Sequence, residues 1–171
     1  MKKTVFVGII FLSLLLAGCG GPTDVDTGVG EKQVEAEKSD SKSEKRFKAD
    51  KSTEALGVKI NIAEVVIKPD RIEVGMNLKN TNSEQVTWFP DQDGKAIVGD
   101  KQLNANMFMG DSIGGEIAGG VKQNGVLVFL ANDKDKIDPK SVKEIKLDLG
   151  EITTHDYMKS KKVQFTLKVG E

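Results

Sequence analysis

The sequence holds one cysteine, one histidine, one tryptophan and one tyrosine among its 171 residues, and only four prolines. A single thiol leaves no disulfide within the chain. His155, without a second histidine beside it, makes neither a familiar metal cluster nor a nucleophile–base pair. Aromatic residues are 5% of the total, too few for a platform on which bases could stack. Neither sign of charge dominates, because Lys+Arg 25 against Asp+Glu 26 gives a formal net charge of -1, so no basic field draws the chain onto nucleic acid. One long apolar run is present, Thr4 to Leu16, and it falls short of the roughly 20 apolar residues a spanning helix needs.

What remains is 38% apolar content, enough for one modest core with appendages. Met1 to Lys3 is cationic and the apolar run follows directly, the layout of a secretory signal. Leu16-Ala17-Gly18-Cys19 then resembles the bacterial lipobox, in which small residues precede a cysteine that is lipidated on sulfur before cleavage. The resemblance implies that residues 1–18 are a lipoprotein signal peptide and that Cys19 carries diacylglycerol as the first residue of the mature chain. Two or more acyl chains, at about 0.8 kcal/mol per buried methylene, anchor a protein stably. The expected location is the outer face of the cell membrane, lipid-anchored, with no spanning helix.

Residues 19–55 read as a lipidated Cys19 followed by a disordered tether. The stretch is rich in Gly, Ser, Lys, Glu and Asp, with Phe47 almost alone as a large apolar residue, and buries too little to offset chain entropy. A flexible coil of that length places a domain on the order of 30 Å from its anchor. A solvated helix from Glu31 to Lys51 is the alternative, since Glu and Lys recur there at helical spacing.

From residue 56 to 171 the period is two. Ile72, Val74, Met76 and Leu78 alternate with polar residues and glycine, the mark of a half-buried strand. Val58, Ile60 and Ile62 do the same, and the phase slips at Ala63-Glu64 before Val65 and Ile67, which predicts a bulge. Pro69-Asp70 predicts a turn. Further strands are expected over Gln85–Phe89, Lys95–Val98, Gln102–Met109, Gly125–Leu130, Val142–Leu149 and Val163–Val169, separated by the turn-like "NTNS", "DQDG", "KQNG", "NDKDKIDPKS" and "EITTHDY". Short strands at this spacing with no amphipathic helix between them predict an all-β fold, an antiparallel sandwich or barrel. "VGMNLKNTNSEQV", "DQDGK" and "GGVKQNGVLVFLAND" are similar to segments of the small secreted immunoglobulin-like domains of Gram-positive lipoproteins, a group that includes the mycobacterial immunoprotective extracellular protein and is mostly of unknown function. That resemblance, over roughly residues 57 to 169, implies an immunoglobulin-like antiparallel β-sandwich at the cell envelope and carries over no catalytic residues.

The side chains that invite chemistry have plainer readings. Asp91 and Asp93 in "DQDGK" alternate as calcium ligands do, but an EF-hand loop would need Gly and Glu where Ala96 and Gln102 stand, so a hairpin turn is expected. Met107 and Met109 fit packing better than soft-metal ligation. The segment "MGDSIGGEIAGG", residues 109–120, has no nucleotide fingerprint; it reads as a long connection or as a partner-binding loop anchored by Ile113 and Ile117. Trp88 and Phe89 are the other candidate partner contacts, with a core role the rival for Trp88. No catalytic residue, metal or cofactor is assigned. The expected function is a binding or adaptor module engaging an envelope protein or wall polymer, surface exclusion of mobile elements being one special case. A wall-acting hydrolase or a small-ligand or metal-binding lipoprotein is the alternative.

Overall fold

The computed structural model describes residues 25–29, 44–132 and 136–170. Cys19 and the signal-like segment before it lie outside them. The chain is almost wholly extended: β1 (Lys45–Ala55), β2 (Val58–Ile67), β3 (Arg71–Asn80), β4 (Val86–Trp88), β5 (Lys95–Val98), β6 (Lys101–Ala105), β7 (Gly115–Ile117), β8 (Lys122–Leu130), β9 (Glu144–Thr154) and β10 (Ser160–Lys168), with one helical turn, α1 (Pro90–Asp93). The fold is all-β, as the period of two predicts. The strands form one antiparallel sheet in the order β1-β2-β3-β8-β6-β5-β9-β4-β7, with β10 on β9. Ile60, Val74 and Leu127 from one half meet Trp88, Leu147 and Phe165 from the other in a single buried cluster, so the sheet curls over its own apolar face.

Local chemistry sets the details. The phase slip at Ala63 is a register shift between Ile62 and Glu64 against β3, and it lets Val65 and Ile67 point inward with Ile60 and Ile62. Leu56 and Gly57 close the β1–β2 hairpin with φ of 47° and 74°, the two positive values a two-residue type I′ turn requires. Leucine is uncommon in that conformation. Two neighbours hold it there: Asn82 Nδ2 donates to the Leu56 carbonyl at 2.8 Å, and the Thr81 amide to the Gly57 carbonyl at 2.8 Å.

Several expectations are corrected. The disordered tether does not extend to Ala55, nor is there a helix reaching Lys51: Lys45–Ala55 is a strand whose register on β2 runs from Lys45↔Ile67 to Ala55↔Val58. It is an edge strand, with one side to solvent, and the lysines and glutamates that resemble a disordered composition are what such an edge carries. Phe47 and Ala49 pack against the core from it. "KQNG" and "EITT" lie within β8 and β9, β6 stops at Ala105 short of Met109, and "DQDG" supplies α1 where a hairpin was expected. Residues 25–29, also assigned to the tether, lie against the sheet.

Candidate functional site on the outer sheet face and the exposed turns

Three of the four expected contact residues are in the core. Trp88 is 1% exposed, and its indole N–H donates to the Leu149 carbonyl at 2.7 Å. This is where β9 bulges against β10, between the pairs Asp148↔Gln164 and Glu151↔Lys162, and where its other edge passes from β5, last paired at Asp148, to β4, paired from Thr153. A bulge leaves a backbone group without its ladder partner, and the indole satisfies it. Ile113 and Ile117 are 2% and 0% exposed. The glycine-rich segment around them is tied down: β7 pairs with β4, the Gln123 amide bonds both the N–H and the carbonyl of Gly114, and the Asp111 amide donates to Val126 O at 3.0 Å. Trp88, Ile113 and Ile117 therefore hold the domain together and cannot be exposed anchors. Phe89, just before α1, remains 38% exposed.

The "KNTN" part of the family-like motif also has a structural task. Asn80 is fully buried, and its Nδ2 donates to the carbonyls of Glu84, Ile117 and Ala118. Its Oδ1 accepts from the amide and side chain of Asn82, which in turn clamps the Leu56 turn. One polar side chain thus joins three loops at the end of the sheet, and a fully satisfied network of this kind fixes their arrangement.

The exposed apolar side chains lie elsewhere. Met107, Phe108 and Met109 form a turn after β6, with Phe108 87% exposed. Tyr157 and Met158, at 72% and 80%, cap the β9–β10 turn next to an exposed His155. That turn is built on Asp156, whose carboxylate accepts from Thr154 Oγ1 at 2.6 Å and from the Met158 amide at 3.1 Å; these bonds hold the carboxyl below the usual aspartate range. Among the described residues no group of three His, Cys, Asp or Glu is placed to hold a metal ion, and no helix is long and apolar enough to cross a membrane.

Sequence reasoning missed the outer face of β2, β3 and β8. Residues 25–29 lie across it. Val25 packs with Val66, Val126 and Val128. The Asp26 amide donates to Glu64 Oε2 at 2.8 Å, a carboxylate that also pairs with Arg46 at 3.0 Å, and Asn77 Nδ2 donates to the Thr27 carbonyl at 2.7 Å. Gly75 makes this possible, because any Cβ there would overlap the Asp26 carbonyl. Beside this segment Glu73 is fully buried and held by Lys68 Nζ at 2.9 Å and Arg71 Nε at 2.6 Å. The bond to Glu73 raises the Arg71 guanidinium further above its ordinary value despite partial burial.

At the Pro69 end of the sheet a cleft of about 530 Å³ opens between the β5–β6 turn and residues 136–146. Lys101, Lys136, Lys143 and Lys146 line it with Asp100, Asp138 and Glu144. Lys101 Nζ donates to the Lys136 carbonyl at 2.5 Å, and Lys146 faces Glu144 at 3.7 Å.

Neither a family model nor a curated protein matches the chain. Solved structures do. A functionally unknown protein from Listeria monocytogenes EGD-e is 10% identical, with 72% of this chain and 84% of that one covered, at a TM-score of 0.51. The yjhA protein from Bacillus subtilis is 14% identical over 72% and 98% of the two chains, with a TM-score of 0.47. A conserved hypothetical protein from Bacillus anthracis gives 13%, 71%, 97% and 0.44. The Listeria likeness concerns the fold alone.

Proposed function

We propose that the protein is a lipoprotein of the outer face of the cell membrane, and that its β-domain is an immunoglobulin-like binding or adaptor module for another envelope protein or a wall polymer. The observation that carries this reading is the cationic start, apolar run and Leu16-Ala17-Gly18-Cys19 step, in that order. The exposed turns add support. Tyr157 and Met158 stand in water on a turn already ordered by Asp156, and a turn whose backbone is already fixed loses little backbone entropy on binding. With Trp88, Ile113 and Ile117 in the core, this turn and Phe89 are the contacts assigned to the partner.

Two measurements test the reading. Cys19→Ser should leave an unprocessed precursor or release the protein from membranes; if parent and variant have the same processed mass and partition alike in detergent, the anchor is not a lipid on Cys19. Crosslinking in cells followed by capture should identify an envelope partner, and Tyr157→Ser with Met158→Ser should weaken that capture by about 2 kcal/mol, roughly thirtyfold, without a change in melting temperature. Unchanged affinity would remove the β9–β10 turn from the binding surface.

A further inference from the structure

The Met107–Phe108–Met109 turn is exposed, yet its backbone is well held. The Phe108 amide donates to Asn106 Oδ1 at 2.9 Å, and the two ends of the turn are bonded to one short stretch of β8, the Asn106 amide to Val128 O at 2.8 Å and the Asp111 amide to Val126 O at 3.0 Å. Three consecutive apolar residues are thereby presented to solvent on a fixed support, 47%, 87% and 48% exposed. The same two β8 residues, Val126 and Val128, carry Val25 against their side chains. The apolar turn and Val25 are therefore both supported by the same stretch of β8.

This juxtaposition matters because of where Cys19 stands. Six residue steps separate it from Val25. At no more than about 3.3–3.6 Å per step they span at most roughly 20 Å, less than the 30 Å expected of a long tether and leaving little freedom to turn the domain away. We propose that Met107, Phe108 and Met109 form a second, non-covalent membrane contact that enters the interfacial region of the bilayer beside the lipid on Cys19. The inference rests on the lipoprotein reading. A contact too weak to bind membranes alone works here because the short anchor supplies it with bilayer at an effective concentration on the order of millimolar. Aromatic and thioether side chains suit the boundary of headgroup and acyl chain. The lipid thus holds the protein, and the turn sets which side of the domain faces the membrane.

The test uses the full-length, lipidated protein in vesicles of phosphatidylcholine and phosphatidylglycerol. Phe108→Cys is labelled with an environment-sensitive fluorophore, and Tyr157→Cys serves as a second exposed site; the Cys19 sulfur, bound as a thioether to diacylglycerol, takes no label. Nitroxide-bearing lipids should quench the label at 108 several-fold more than the label at 157. Releasing residues 25–29 with Gly75→Val should reduce the difference. A label-free arm follows amide exchange: vesicles should protect residues 106–111 of the parent, and Phe108→Ser should abolish that protection while melting as the parent does. Equal quenching at both sites overturns the membrane contact, as does crosslinking of position 108 to a second copy of the chain in place of lipid. If the purified protein lacks diacylglycerol by mass and does not float with vesicles, the lipoprotein reading itself fails and takes this inference with it.

Discussion

Strand β10 and the pair β3 and β8 solve the same problem in opposite ways. In β10, Val163, Phe165 and Leu167 are buried while Lys161, Lys162, Gln164, Thr166 and Lys168 face water, so one face does the packing. In β3 and β8 the inner residues Val74, Met76, Leu127 and Phe129 are buried, and so are the outer residues Glu73, Val126 and Val128. Something must cover that second face. Residues 25–29 supply part of the cover, and Lys68 and Arg71 neutralise the carboxylate within it. A one-sided strand needs only its neighbours in the sheet, whereas a two-sided strand in an antiparallel sheet needs a segment from outside it.

The largest expected effect tests what the two halves share. Trp88→Ala removes the side chain between them and strands the Leu149 carbonyl, so it should cost about 3–5 kcal/mol in urea unfolding. A loss under about 1 kcal/mol would mean that the halves do not depend on a common core. Gly75→Val should displace residues 25–29 at the cost of the Val25 contacts, about 2 kcal/mol. Proteolysis before β1 should quicken in this variant while the tryptophan emission stays as it is, and an unchanged cleavage rate would show that the segment contributes no cover.

Glu73→Gln keeps the shape and deletes the buried charge. Because Lys68 and Arg71 are themselves partly solvated, the loss should be modest, about 1–2 kcal/mol, and a Glu73→Gln variant as stable as the parent would count against an ionic role. The smallest effect belongs to the solvated half. Burial pushes the Asp148 carboxyl up, but bonds from Lys162, Gln164 and the Gly150 amide together bring it below the ordinary range. A carboxyl depressed in the folded state adds stability above its unfolded value, about 3.9, and loses it as the pH falls further. Asp148→Asn should flatten that acid limb slightly; an acid limb superimposable on the parent's would leave Asp148 without a role in it.

The comparison also explains what could be read beforehand. Alternation in β10, β9 and the first half of β2 reports their inner face directly, and the break at Ala63 shows in the phase of the residues on either side. β1 was hidden because an edge strand with Lys, Glu, Ser and Asp on its open side has the composition of a disordered linker. Residues 25–29 have no signal of their own. The sign of them lies far away, in the unbroken apolar runs Val65-Val66-Ile67 and Val126-Leu127-Val128 and in a glycine midway along β3, which together say that both faces are covered without saying by what. Ile113 and Ile117 were misplaced for a related reason. Glycines around them weaken the strand pattern, and only the Gln123 amide and the ladder to β4 show why they are nevertheless held inside.

The segment at Val25 also decides how the molecule responds to force. A pull transmitted through the residues before Val25 reaches the bonds at Glu64 and Asn77 before it reaches β1, because β1 follows later in the chain. Those few contacts would part first, peeling from the face while the sheet stays intact. Once they have parted, the load passes along the chain to β1. Tension along the chain would thus uncover the outer face of β3 and β8 before it disturbs the ladders of the sheet.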